Sequence, residues 1–175
     1  MISRLKMEVS TRIICQVAML IAITFVLERL VPPINLPTMR ISFAFVPMML
    51  CGMLFGPLWG AVAYGISDIL GWFIMALTPN YLILASRIVN GFLFGYILHR
   101  ENAALWPHAV ISAFSTQVIC GMGLTTLGLA QIMGTPYVPL LISRFPQFGV
   151  YLILQIAIFP ILLKLCDALR KSGFA

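Results

Sequence analysis

Residues 39–95 read MRISFAFVPMMLCGMLFGPLWGAVAYGISDILGWFIMALTPNYLILASRIVNGFLFG, and the way this stretch divides decides the fold. Phe55-Gly56-Pro57 and Thr78-Pro79-Asn80 break it into three apolar runs. Glycine and proline at these points read as turns rather than helix interior. One acid, Asp68, falls in the middle of the second run, and one base, Arg87, near the start of the third. A charge at the centre of a bilayer costs about 2.5–3.5 kcal/mol on insertion scales, so each needs a partner or a task.

Composition fixes the solvent. Of the 175 residues only 9% are charged, and mean hydropathy is +1.04. Soluble domains carry about 25% charged residues, so a soluble fold is excluded and an all-α integral membrane protein is expected. The net charge of +6 then belongs to membrane topology, not to nucleic acid. The four cysteines, Cys15, Cys51, Cys120 and Cys166, lie far apart in or beside apolar runs. They form neither a CxxC pair nor a Cys/His cluster, so they read as buried free thiols, with no metal and no cofactor expected.

Outward from the central stretch, the chain divides into six spans at about 12–31, 41–55, 59–77, 82–98, 108–130 and 146–165. A helix needs about 20 apolar residues to cross about 30 Å of hydrocarbon. The whole of 1–175 reads as a single six-helix transmembrane domain. Arg4, Lys6 and Arg12 before an apolar run resemble a signal peptide, but no small-residue cleavage site follows, so this run is expected to stay as the first span. Pro32, Pro33 and Pro37 make the link from Glu28 to Arg40 a stiff loop that cannot be regular helix. Pro47 is expected to kink span two. The segment 131–145 reads as loop or broken helix, and Pro146 as a first-turn residue of span six.

Six spans put both ends on one side. Arg4, Lys6, Arg12, Arg100, Lys164, Arg170 and Lys171 then face the cytoplasm, against Arg29, Arg40, Arg87 and Arg144 at the other side. Seven against four favours N-in, C-in. Outward arginines that oppose the rule suggest a site for an anion arriving from outside, with interfacial snorkelling as the plainer alternative.

Several helix faces carry polar groups. On span three, Gly60, Tyr64, Asp68, Trp72 and Ala76 recur four apart. Arg87, Asn90, Gly91 and Phe94 share a face on span four, and Gln147, Tyr151 and Gln155 on span six. In lipid such faces turn inward. An acid, an arginine, amides and aromatic planes suit a planar, hydrogen-bonding, partly anionic small molecule. The plainer alternative for Asp68 is a buried salt bridge with Arg87, or a bond to a polar neighbour, that holds the bundle together. On span one, Ala18 and Ala22 stand four apart, and small residues at that spacing let another helix approach closely. No HExxH, GxSxG or Walker A sequence is present, so no enzyme is expected.

Four segments carry a resemblance: Leu36-Pro37-Thr38-Met39-Arg40-Ile41-Ser42-Phe43, Met53-Leu54-Phe55-Gly56-Pro57-Leu58-Trp59-Gly60, Asp68-Ile69-Leu70-Gly71 and Arg87-Ile88-Val89-Asn90-Gly91-Phe92. They resemble the substrate-binding S components of energy-coupling factor (ECF) vitamin transporters, those for folate most of all. The resemblance implies a six-helix bundle in the prokaryotic plasma membrane, a multi-pass subunit that captures folate or a related vitamin. It also implies a pocket lidded by loops around 30–40, 78–82 and 131–145. Its partners would be a transmembrane coupling subunit and two ABC-type ATPases, with Ala18 and Ala22 as the docking face. Candidate substrate contacts are Arg29, Arg40, Asp68, Trp72, Asn80, Arg87, Asn90, Gln147 and Tyr151. Asp68 would accept the paired donors of a pterin edge, Trp72 would cover the ring, and Arg29, Arg40 or Arg144 would meet the tail carboxylates. Two alternatives remain: an S component for another vitamin or nucleobase-like ligand, and a stand-alone small transporter or channel.

Overall fold

The computed structural model describes residues 10–30, 34–36, 39–75, 79–99 and 106–172. Helix α1 runs Thr11–Phe25 and widens into a π segment, Val26–Leu30. Strands β1 (Ile34–Leu36) and β2 (Met39–Ile41) pair antiparallel, Asn35 opposite Arg40. There follow α2 (Phe45–Phe55), α3 (Pro57–Met75), α4 (Tyr81–Leu98) and α5 (Trp106–Ser115). A second π segment (Thr116–Thr125) continues α5 into α6 (Thr126–Met133), and α7 (Tyr137–Lys171) closes the order. The fold is all-helical apart from this one hairpin among the described residues.

Helix α2 is the centre. It is apolar on every side, and such a helix is stable only when surrounded. Met48, Met49, Cys51 and Met53 are almost wholly buried, packed by α1, α3, α4 and α7. Its outer neighbours keep apolar side chains exposed, among them Phe73, Ile142, Phe145, Ile153 and Ile161. Among the described residues, four helical stretches are long and apolar enough to cross a membrane: Thr11–Glu28, Tyr81–Leu98, Pro107–Met133 and Tyr137–Lys171. α3 has 19 residues and similar length but carries Ser67 and Asp68.

Between helices in lipid, close packing replaces the hydrophobic effect as the adhesive. Gly60 on α3 and Gly91 on α4 meet so closely that a Cβ on Gly91 would stand 2.2 Å from the Gly60 carbonyl oxygen. Gly56, between α2 and α3, has φ of 90°, a conformation that side chains resist. At this end of the bundle the Met53 carbonyl accepts from His99 Nδ1 at 2.9 Å and Arg170 Nη2 at 3.1 Å. Two side chains thus satisfy a last-turn carbonyl of α2, a group that has no partner within its own helix.

The structure departs from the sequence expectations in four places. Helix α2 starts at Phe45, not 41, because residues 39–41 are strand. Pro47 is its third residue, where a backbone N–H would have no intrahelical partner, so it opens the helix and does not interrupt it. Residues 137–145 are helix, and Pro146 lies inside α7 together with Pro160. Residues 28–30 remain helical, as π helix, so the stiff loop begins later than Glu28.

Candidate functional site

The polar faces converge beneath the hairpin. α2 has 11 residues and is about 16 Å long at ~1.5 Å per residue. Asp68 stands about 17 Å along α3 from Pro57, and Arg87 about 17 Å along α4 from Leu98, on the same rise. Both therefore sit level with the tip of α2, on its hairpin side.

Arg87 is the hub. Its Nη1 donates to Tyr64 Oη at 2.8 Å, and its Cζ lies 5.1 Å from the centre of the Tyr64 ring. Its Nη2 donates to Glu28 Oε1 in an ion pair. Its Nε stands 4.0 Å from Asp68 Oδ1, close enough to attract and too far for a hydrogen bond. The Asp68 side chain is 4% exposed and that of Arg87 27%, so this is a desolvated cluster of two acids and one base. Two carboxylates against one guanidinium leave it formally one negative charge in excess.

The π segment explains Glu28. Widening to i→i+5 bonding re-aims the side chains that follow, and π turns recur at functional sites. Here it carries Glu28 inward to Arg87, and Glu28 is buried as a result. The sequence reading treated Asp68 as the acid of the spans and placed Glu28 at the start of a loop. The legible signal was an acid within helical reach of an apolar run.

Across from the cluster lies one face of α7. Arg144 Nε donates to Gln147 Oε1 at 3.4 Å, and its Cζ stands 5.9 Å from the Phe148 ring centre. Arg144 Nη1 is shielded from solvent and has no hydrogen-bond partner among the described residues. Tyr151 Oη accepts from Ser42 N at 2.8 Å, and its ring meets Phe45 edge-on at 6.1 Å, which ties α7 to the base of the hairpin. Tyr151 stands about two turns along α7 from Arg144. Deeper on α7, Gln155 accepts from Thr116 Oγ1 at 3.3 Å.

The structure thus brings Asp68, Arg87, Gln147 and Tyr151 to the hairpin end, with Tyr64 of the same polar face of span three and the outer base Arg144, and adds Glu28. Asn90 lies one turn beyond Arg87, its Oδ1 shielded and without a partner among the described residues. Trp72 packs edge-on against Tyr81 at 6.3 Å. Asn80 serves the fold: Oδ1 caps α4 by accepting from Leu82 N and Ile83 N, and Nδ2 donates to the Gly128 carbonyl. Arg29 and Arg40 stand on described backbone, but their side chains lie outside the described residues. Ala18 and Ala22 are exposed on one face of α1.

A buried cluster of opposite charges thus sits under a hairpin, inside an apolar helical bundle. The chain belongs to the family described as "ECF transporter, substrate-specific component", whose model matches residues 12–163. It is similar to the folate transporter FolT of Clostridium novyi (strain NT), 25% identical over 114 residues, which cover 63% of this chain and 64% of that protein. The match thus spans just under two thirds of that relative's length. It is also similar to the folate transporter FolT of Leuconostoc mesenteroides subsp. mesenteroides, 25% identical over 133 residues, 74% of this chain and 70% of the other. Among solved structures, FolT bound with folic acid superposes with a TM-score of 0.78 at 22% identity, covering 89% of this chain and 95% of that one. The S component for biotin from an ECF-type ABC transporter gives 0.66 at 20% identity, covering 90% and 95%.

Proposed function

We propose that this chain is the folate-capturing membrane subunit of an ECF-type importer. The observation that carries the reading is Asp68: a carboxylate nearly free of solvent, held beside the Arg87 guanidinium, which itself engages Tyr64, at the level where α2 begins. A pterin edge offers an amino group and a ring N–H side by side, and one carboxylate accepts both. The similarity to folate transporters in sequence and in fold supports the same ligand.

The rest of the reading follows the family. The chain is one domain of six spans in the prokaryotic plasma membrane, with both ends in the cytoplasm and the hairpin end outside. It is non-catalytic, and ATP is hydrolysed by two ABC-type ATPases joined through a coupling subunit that docks on Ala18 and Ala22. Trp72 and Asn90 complete the ring site. Labelling of a cysteine placed near either terminus from outside intact cells would contradict the topology.

The deciding experiment is to purify the protein, extract what is bound, and titrate it with folic acid and with biotin. Folic acid in the extract and selective, saturable folate binding are expected. Preferential biotin binding would move the assignment to the biotin class, and binding of neither would end it.

A further inference from the structure

We infer that Arg144, and not Arg87, receives the carboxylate of the ligand, and that Glu28 decides this by occupying Arg87. The inference rests on the folate reading and concerns how that ligand is polarised in the site.

Three observations lead to it. First, Arg87 is already engaged on three sides: Nη2 on Glu28, Nη1 on Tyr64, and Nε towards Asp68. A ligand carboxylate arriving there would be a third negative charge around one guanidinium. Like charges in a site screened from water oppose each other far more than at a surface. Second, Arg144 has no acidic partner among the described residues. Its neighbours are a long bond to Gln147 and the face of Phe148, both neutral. Third, Arg144 Nη1 is shielded from solvent with its donors unused among the described residues. A guanidinium with a free edge takes a carboxylate through two parallel N–H···O bonds, the geometry for which arginine is best suited.

The two groups then read opposite ends of one molecule. The cluster of Glu28, Asp68 and Arg87 has an excess of one negative charge and takes an edge that carries only donors. Arg144, with no acid beside it among the described residues, takes the anion. Tyr151 stands about two turns after Arg144 on α7 and accepts from Ser42 N at the base of the hairpin, so α7 carries Arg144 on the hairpin side of the bundle, where the cluster lies. Glu28 becomes a specificity residue: it makes the head end reject anions. A head carrying its own carboxylate is refused, while a neutral head with a carboxylate tail is accepted.

The test uses the full chain in detergent. Wild type, Arg144→Gln, Arg144→Lys and Glu28→Gln are titrated with folic acid, with its diamide (both tail carboxylates converted to amides), and with pterin-6-carboxylate. Wild type should prefer folic acid over the diamide by about 10- to 150-fold, the scale of a charged hydrogen bond. Arg144→Gln should lose that preference, Arg144→Lys should keep part of it, and Glu28→Gln should bind pterin-6-carboxylate at least tenfold more tightly than wild type. The preference is a ratio of two ligands on one sample, so partial unfolding of a variant does not imitate it. Retention of the full preference in Arg144→Gln, or no gain for pterin-6-carboxylate in Glu28→Gln, overturns the inference. If wild type binds no folic acid, the folate reading itself fails and this one falls with it.

Discussion

Gly91→Ala tests whether the packing of α3 on α4 is what holds the charged cluster in place. The added methyl carbon would stand 2.2 Å from the Gly60 carbonyl oxygen, 2.6 Å from its carbon and 3.0 Å from Ala61 N. All three are backbone atoms and cannot rotate aside. An ordinary contact is about 3.5 Å, so the helices must separate by roughly 1 Å at this point. Arg87 is one turn before Gly91 on the same helix, and its 2.8 Å bond to Tyr64 would open to about 3.8 Å, past the hydrogen-bond limit. Overpacking costs about 1–3 kcal/mol and loss of a charged hydrogen bond about 1.5–3 kcal/mol, so a total of roughly 2–6 kcal/mol is expected. Thermal unfolding in detergent and folate titration on the same sample measure both parts. Stability should fall, and affinity in the folded fraction should fall about tenfold or more. Gly149→Ala is the control: nothing lies within 4 Å of its Cβ position, so stability should hold or rise by up to about 1 kcal/mol. Wild-type stability and affinity in Gly91→Ala would refute the reasoning.

Asp68→Asn should weaken folate binding by about 1.5–3 kcal/mol, while ligand-free stability changes little because Arg87 keeps Glu28 and Tyr64. A large loss of ligand-free stability with near-normal affinity would instead favour a purely structural ion pair. Asn80→Ala removes a cap and an interhelical bond to Gly128, so melting should show a loss of about 1–3 kcal/mol; unchanged melting would contradict the capping role. Ala22→Trp should abolish uptake in cells while the purified protein still binds folate, and normal uptake would remove α1 as the docking face.

Much of the fold was legible because its punctuation is local. Gly56-Pro57 and Pro79-Asn80 mark turns, and helices begin at Pro57 and Tyr81 as those residues imply. Asp68 and Arg87 could each be assigned to an inward polar face, with an ion pair between them as the plainer alternative, and the structure brings them within 4.0 Å. What was missed depends on partners distant in sequence. Proline reads as a breaker, yet Pro146 is carried in the interior of α7, where a helix of 35 residues has enough remaining bonds to continue through it. Glu28 meets Arg87 from a π segment, and hydropathy contains no sign of that turn. Gly91 appeared as one member of a polar face, whereas its contact with Gly60 needs the pairing of two helices to be known. Arg144 was visible as one of three outer arginines able to meet a carboxylate, but its contacts with Gln147 and Phe148 require 137–145 to be helix.

The shortness of α2 has a consequence for its neighbours. α3 rises for 19 residues from nearly the same level and α2 for only 11, a difference of about 12 Å at ~1.5 Å per residue. Over that length α3 has no α2 beside it, and Asp68 stands where the stretch begins. The chain just before α2 is hairpin, whose backbone groups pair with each other and, at Ser42 N, with Tyr151 Oη. The level at which a helix wall gives way to polar backbone is thus fixed by a residue count.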